Sequence, residues 1–295
     1  MAAIKPRTNI AGMGGKERPF NSRLRKSIFL LPNLLTASNM VLGLLAIVFA
    51  MNDSLTLSLT GENVIPFVFP AKLIIIAAFM DFTDGFVARA TGTSTKFGME
   101  FDSLSDLISF GVAPGLLIYL SVLRNIPLLG AGLSITLFYV VCTAIRLARF
   151  NVQAQAEEKS HFTGLPSPAA AGLLASYVLF AHYEGWYEKK IVVNPVMNWY
   201  EEHVGFVELT LIPLMTVIIA LVMVSTISYP SLKKWNWETV KPWTFAFIIL
   251  GVFFLIYSME VASFLLMTAY LLWGILHALT KKSFEKIRPK KVPAT

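Results

Sequence analysis

The chain has 295 residues, of which 55% are hydrophobic and only 15% are charged, and its formal net charge is +7. Soluble domains carry about 25% charged residues, so this composition excludes an ordinary soluble enzyme and predicts an all-α polytopic integral membrane protein. The single cysteine, Cys142, excludes an intramolecular disulfide, and its apolar neighbours indicate a small buried side chain rather than a reactive nucleophile. We expect membrane lipid as a partner, and no nucleic acid.

The first 27 residues are polar and basic, which predicts a cytoplasmic arm lying on anionic lipid headgroups. Because a spanning helix needs about 20 apolar residues, hydropathy predicts eight transmembrane helices after this arm. They are residues 28–51, 66–89, 102–122, 127–149, 168–183, 208–227, 243–258 and 261–279, with a turn near Glu260 between the last two. The predicted organisation is an arm (1–27), a six-helix core (28–228), a C-terminal helix pair (229–279) and a basic cytoplasmic tail (280–295).

The distribution of basic residues predicts the orientation of these helices. Of the 25 Lys and Arg residues, only Lys72, Arg124, Lys189 and Lys190 fall on the side opposite to the two termini. Since cytoplasmic loops carry the excess of Lys and Arg, we expect both termini in the cytoplasm. No targeting segment of eukaryotic type is visible, which fits a bacterial inner membrane.

One stretch, residues 81–106, places four aspartates between apolar runs. Ionisable side chains at membrane depth are costly, and they persist where they face a polar cavity, a partner charge or a metal. Asp81, Asp84, Gly85 and Ala88 follow the spacing i, i+3, i+4 and i+7. They therefore form one face of a helix, with Arg89 at the edge of that face.

After a polar turn at 91–96, Gly98, Asp102 and Asp106 form one stripe on a second helix. Two antiparallel helices joined by this turn would bring both aspartate pairs into one pocket. Four adjacent carboxylates repel one another unless cations neutralise them. Carboxylate oxygens suit Mg²⁺ or Mn²⁺, whereas the lack of His and Cys in the stretch argues against zinc.

These eight positions resemble the signature D-x2-D-G-x2-A-R-x8-G-x3-D-x3-D of the CDP-alcohol phosphatidyltransferase family. The resemblance implies that residues 28–228 are a catalytic core, that two divalent ions bind per site, and that the protein is a homodimer. It also implies metal ligation by Asp81, Asp84 and Asp102, with Asp106 completing the second metal site and taking the proton of the attacking hydroxyl. Residues implied in binding the CDP-lipid, through space for cytidine or charge for phosphate, are Gly85, Ala88, Arg89 and Gly98.

Four further segments resemble the phosphatidylserine synthase branch of this family. They are PNLLTASN (32–39), LISFGVAP (107–114), RLARFN (146–151) and FTGLPSPAAA (162–171). This resemblance implies that the phosphatidyl group of CDP-diacylglycerol is transferred to the hydroxyl of L-serine, giving phosphatidylserine and CMP.

Four residues near the predicted site are candidates for binding the acceptor alcohol. Arg146 and Arg149 are three residues apart at a helix end, so they share one face and are placed to bind the serine carboxylate or a lipid phosphate. The alternative is that both are ordinary positive-inside anchors. Asn151 and Thr163 are candidates for hydrogen bonds to the acceptor, with a loop-forming role as the alternative.

Two other functional hypotheses fit these patterns. One keeps the chemistry and changes the acceptor to glycerol phosphate, inositol phosphate, choline or another alcohol. The other is a cation-coupled membrane transporter, in which the aspartates relay protons or metal ions.

Overall fold

The computed structural model describes residues 22–60, 67–91, 95–155, 164–181, 203–227 and 259–287. Within these ranges, side chains are described for 32–54, 67–87, 95–153, 164–181, 203–227, 263–276 and 280. The described residues form seven helices: α1 (Ser22–Thr60), α2 (Val68–Thr91), α3 (Lys96–Ser121), α4 (Ala131–Gln155), α5 (Ser167–Ala181), α6 (His203–Val224) and α7 (Met259–Ile287). Apart from a short 3-10 turn at Leu123–Asn125, no other regular element occurs in these ranges, so the predicted all-α class is confirmed.

Several of these helices are long and apolar enough to cross a membrane. They are Pro32–Ser54 of α1, Lys96–Ser121, Ala131–Gln153 of α4, and His203–Val224. The apolar segments Ser167–Ala181 and Ser263–Leu276 are shorter. The predicted seventh span, 243–258, lies outside the described residues, so the count of eight spans stays a prediction.

Two helices begin earlier than hydropathy predicts, because polar residues form their first turns. Helix α1 begins at Ser22, inside the predicted arm, and α3 begins at Lys96, ahead of the predicted apolar span (102–122) and just before the predicted helical stripe that starts at Gly98. The reason for the early start of α3 is an N-cap: the Thr95 hydroxyl accepts the backbone N–H of Gly98 at 2.9 Å. Hydropathy detects the apolar part of a helix, whereas a capping side chain decides where the helix begins.

A π-helical turn, Leu107–Val112, interrupts α3 directly after Asp106. Pro114 has no N–H to donate to the Phe110 carbonyl four residues earlier. The Tyr139 hydroxyl of α4 donates to that carbonyl instead, at 2.8 Å. This hydrogen bond fixes α3 against α4 next to the π-helical turn.

Helix α5 is the centre of the bundle. It packs against α2, α3, α6 and α7, and nearly every residue from Ala170 to Phe180 is buried. A helix that is apolar on all sides is expected in such a position. Around it, α1 packs along α2, and α4 packs along α6.

The start of α5 is held by the C-terminal end of α6. The N–H groups of Gly164 and Leu165 donate to the carbonyls of Ile227 and Val222, at 2.7 and 3.3 Å. Gly164 has a φ of +89°, and a side chain there would clash with the carbonyl of Met223. Only glycine fits where the chain before α5 approaches the end of α6. This close approach fixes the position of the first turn of α5.

Candidate functional site

One cavity of about 290 Å³ lies where α2, α3, α4 and α5 meet. Its polar lining residues are Asp81, Asp84, Asp102, Ser103, Asp106, Arg146, Asn151 and Ser167. Sites for small molecules measure roughly 300–1,000 Å³, so this cavity suits a polar headgroup rather than a whole lipid.

Three carboxylates form the core of the site. Asp81 of α2 and Asp102 and Asp106 of α3 each offer an oxygen, and these oxygens all lie within 4.8 Å of one another. Asp106 is only 8% exposed, whereas Asp81 and Asp102 are half-buried. The antiparallel arrangement predicted from the two helical stripes is therefore present in the fold.

Asp84 lines the same cavity from one turn further along α2. It is 4% exposed, and one of its oxygens, Oδ2, accepts a hydrogen bond from the Thr36 hydroxyl of α1 at 2.9 Å. All four predicted aspartates thus face one space, while three of them form the closer group.

The donor set fits a hard divalent cation. Like-charged carboxylates this close raise the free energy of the fold unless a positive charge offsets their repulsion. The three clustered groups supply oxygen donors only, which is the preference of Mg²⁺ and Mn²⁺. The clustered aspartates are therefore able to hold the divalent metal that the family resemblance implies.

Arg146 of α4 is the cationic residue among those that line the cavity. Its Nη1 donates to the hydroxyl of Ser167, at the start of α5, at 2.7 Å. Its Nε is buried and has no hydrogen-bond partner among the described groups. Because Arg146 lines the cavity and a guanidinium forms strong hydrogen bonds with anionic oxygens, this residue is suited to a carboxylate or phosphate of a ligand.

Arg149, three residues further along α4, has a different environment. Its Nη1 and Nη2 donate to the backbone carbonyls of Val224 and Ser225, at 2.8 and 3.1 Å. These carbonyls belong to the C-terminal end of α6, where helix carbonyls lack intrahelical donors. Arg149 is not one of the described residues that line the cavity, and its contacts cap a helix.

Asn151 does line the cavity, but its amide already has partners in the protein. The Ser103 hydroxyl donates to Asn151 Oδ1 at 3.1 Å, and Asn151 Nδ2 donates to Glu100 at 3.2 Å. These bonds join the C-terminal part of α4 to the first turns of α3. Thr163, the other predicted acceptor contact, lies outside the described residues.

The residues predicted to bind the CDP-lipid have separate locations. Gly85 lines the cavity. Gly98 lies at the capped start of α3, where an added Cβ would stand 3.2 Å from Thr95 Oγ1 and 3.3 Å from Asn33 Oδ1. The side chains of Ala88 and Arg89 lie outside the described part of the chain.

Large apolar side chains surround the polar part of the cavity. Phe82, Met99 and Phe150 line it from α2, α3 and α4, and all three are exposed, Phe82 to 64%. An acidic pocket with an apolar border suits an amphiphile that has a charged head and hydrocarbon chains.

Four polar residues at or behind the cavity were not singled out by sequence reasoning: Ser103, Ser167, Thr36 and Asn39. A signal existed for Thr36 and Asn39, which form an i, i+3 polar pair within an apolar span. Ser103 and Ser167 gave no such signal, since a serine beside a helix end is common.

Comparisons with known proteins agree with this geometry. The family model described as CDP-alcohol phosphatidyltransferase matches residues 29–207. A CDP-diacylglycerol–serine O-phosphatidyltransferase of Helicobacter pylori is 34% identical over 249 residues, which cover 84% of this chain and 91% of the relative.

Two relatives match shorter parts of the chain. A CDP-diacylglycerol–serine O-phosphatidyltransferase of Mycobacterium tuberculosis is 35% identical over 59% of this chain and 57% of the relative. An archaetidylserine synthase of Methanothermobacter thermautotrophicus is 37% identical over 55% of this chain and 64% of the relative.

Proposed function

Because the chain belongs to the CDP-alcohol phosphatidyltransferase family, we propose that it transfers the phosphatidyl group of CDP-diacylglycerol to the hydroxyl of L-serine, giving phosphatidylserine and CMP. The names of the Helicobacter and Mycobacterium relatives support this donor and this acceptor. The observation that carries the proposal is one cavity lined by both an aspartate cluster and Arg146. Family membership leaves the transporter hypothesis without support.

The aspartates are the proposed holders of a divalent metal, Mg²⁺ or Mn²⁺, with two ions per site. Asp81, Asp102 and Asp106 would contribute the clustered oxygens, and Asp84 would complete the set. The chemistry that such ions supply is neutralisation of the pyrophosphate charge and polarisation of the phosphoryl oxygen.

Asp106 is the proposed base for the attacking hydroxyl. Its carboxylate accepts the hydroxyl proton while the serine oxygen forms a bond to the phosphorus that carries diacylglycerol. The bond between this phosphorus and the oxygen of CMP breaks, and CMP leaves with the electron pair. The position of Asp106 supports this role, because it lines the cavity that would hold the reacting groups.

Arg146 is the proposed binding group for the serine carboxylate. Ser167 holds one nitrogen of the guanidinium, and the guanidinium lines the cavity together with the aspartates, where it would bind a carboxylate oxygen. This arrangement would hold the serine hydroxyl on the side of the aspartates. We assign Arg149 to the capping of α6 rather than to the acceptor.

The donor lipid would place its head in the cavity and its acyl chains along the exposed apolar border. Phe82, Met99 and Phe150 supply that border. Gly85 would leave room for the nucleotide part, with Ala88, Arg89 and Gly98 as further proposed contacts.

The orientation and assembly of the protein are also proposals. The excess of Lys and Arg on one side supports a cytoplasmic site and cytoplasmic termini, in a bacterial inner membrane. Labelling of single cysteines near each terminus with an impermeant reagent tests this; labelling from outside intact cells would contradict it. The family resemblance supports a homodimer, and a monomeric mass in nanodiscs would contradict that.

CMP release by the purified full-length protein tests the reaction. With CDP-diacylglycerol and Mn²⁺ or Mg²⁺, we expect release that depends on L-serine and stops on addition of EDTA. Asp106→Asn should abolish release while the protein stays folded. Release with glycerol phosphate but not with serine would overturn the acceptor, and no release with any alcohol would overturn the reaction.

A further inference from the structure

Helix α1 carries two buried polar side chains next to the aspartate cluster. Thr36 is 5% exposed and Asn39 is 0% exposed, and they lie one turn apart on the same face. Neither is one of the described residues that line the cavity. They lie behind the carboxylates, on a helix that contributes no aspartate to the site.

Each of the two residues contacts an aspartate on a different helix. The Thr36 hydroxyl lies 2.9 Å from Asp84 Oδ2 of α2 and 3.0 Å from the Pro32 carbonyl, so one proton serves two acceptors. Asn39 Nδ2 donates to Asp106 Oδ1 of α3 at 3.4 Å. This second contact is longer than a typical N–H···O hydrogen bond of about 2.9–3.0 Å.

Helix α3 fixes the position of this turn of α1. The hydroxyls of Ser105 and Ser109 donate to the backbone carbonyls of Thr36 and Asn39, at 3.0 and 2.9 Å. One turn further on, a Cβ added to Gly43 would stand 2.8 Å from the Cα of Ser109, so only glycine allows this approach. The two helices are therefore held in one register, in which Thr36 and Asn39 face the aspartates.

The environment of Asn39 favours a functional role over a purely structural one. Its Oδ1 is buried without a hydrogen-bond partner among the described groups. A buried amide with an unsatisfied oxygen destabilises a fold, and an apolar residue of similar shape would avoid that cost. The amide of Asn39 supplies an N–H donor, which contacts Asp106 from the side away from the cavity.

We propose that Thr36 and Asn39 are positioning residues that fix the carboxylates of Asp84 and Asp106 for a divalent cation. The inference rests on the proposed function, because it assumes that these aspartates hold the metal. Each hydrogen bond holds one carboxylate oxygen from behind, which sets the direction in which the carboxylate faces the cavity. Groups that orient metal ligands in this way affect metal affinity by about 10- to 100-fold.

The test measures Mn²⁺ binding by electron paramagnetic resonance on the full-length protein in nanodiscs, with activity as a second readout. Thr36→Val keeps the shape of threonine and removes the donor, and Asn39→Leu keeps the branched shape and removes the amide. We expect each variant to bind Mn²⁺ about 10-fold more weakly or worse. Thr36→Ser, which keeps the hydroxyl, should restore wild-type affinity.

Ser38→Ala is the matched control. Ser38 lies between the two residues on α1, and its hydroxyl donates to the Leu34 carbonyl at 2.9 Å within the same helix. Its loss should leave Mn²⁺ affinity unchanged. Melting curves of every variant accompany the binding data and verify that each variant is folded under the conditions of the Mn²⁺ titration.

The outcomes separate this inference from the proposed function. Weaker Mn²⁺ binding in both variants while both remain folded, with wild-type affinity in Thr36→Ser, supports the positioning role. Unchanged Mn²⁺ affinity in both variants, or a lower melting temperature as the sole effect, overturns it. A wild-type protein that binds no Mn²⁺ at all overturns the metal site itself, and the inference with it.

Discussion

The side chain of Arg146 is joined to that of Ser167 by a 2.7 Å hydrogen bond across the helix interface between α4 and α5. Ser167 is fully buried at the first turn of the central helix, whose start is itself fixed by the C-terminal end of α6. The arginine that lines the cavity with the aspartates is thus oriented by a helix whose residues from Ala170 to Phe180 are all buried. In the proposed function, Arg146 and Ser167 would bind the acceptor, and the aspartates would bind the metal.

Ser167→Ala should raise the Michaelis constant for L-serine about 5-fold, because a neutral hydrogen-bond partner of a cation contributes of the order of 1 kcal/mol. The Michaelis constant for CDP-diacylglycerol should change little. Initial rates at varied serine check this. Ser176→Ala, which removes another buried hydroxyl of the same helix, is the control, and an equal effect there would contradict the assignment.

Arg146→Ala should raise the Michaelis constant for serine at least about 30-fold, since truncating one partner of a buried charged contact costs about 2–5 kcal/mol. Arg146→Lys should recover little, because an ammonium does not reproduce the planar fork of guanidinium donors. Kinetics with serine as the varied substrate measure both effects. A selective loss of CDP-lipid affinity would instead place Arg146 on a phosphate.

Arg149→Ala should destabilise the fold and leave the Michaelis constant for serine unchanged. The variant removes donors from the carbonyls of Val224 and Ser225, and unpaired buried carbonyls cost about 1–3 kcal/mol each. Thermal unfolding in detergent micelles measures the loss. A serine-specific kinetic defect with normal stability would return Arg149 to the acceptor site.

Mn²⁺ should raise the melting temperature of the wild-type protein. A ligand at about 100 times its dissociation constant stabilises the folded state by about 2.7 kcal/mol. Asp81→Asn removes one of the clustered oxygens, so the rise should largely disappear in that variant. The same variant without metal should melt no lower than the wild type, because it loses a like-charge repulsion. An undiminished rise in Asp81→Asn would place the ion elsewhere.

The acidic hairpin was predictable because its geometry is local. Helical spacing puts Asp81 and Asp84 on one stripe and Asp102 and Asp106 on another, and a short turn makes the two helices antiparallel. The family signature lies in this same stretch, so the fold class, the cluster of carboxylates and the family could all be predicted from the sequence. The first residue of α3 was harder to predict, because the Thr95 cap rather than the apolar pattern determines where the helix begins.

The different partners of Arg146 and Arg149 could not be predicted from helical spacing. Their i, i+3 spacing correctly places them on one side of α4, and it cannot tell which partner each one meets. The two guanidiniums have different partners. Arg146 donates to a hydroxyl of α5, and Arg149 donates to carbonyls at the end of α6. Both partners lie far away in sequence, so periodicity carries no information about them.

The sequence by itself determined that this is a helical membrane protein with a carboxylate site of a known family, because composition, helical period and a spaced motif are properties of short stretches. Tertiary structure alone decided that α1 contacts the aspartates through Thr36 and Asn39, and that Arg146 rather than Arg149 faces the cavity. The physical reason is that these contacts depend on how helices distant in sequence pack together. That packing is fixed by close approaches, such as Gly43 on Ser109, and by buried hydrogen bonds.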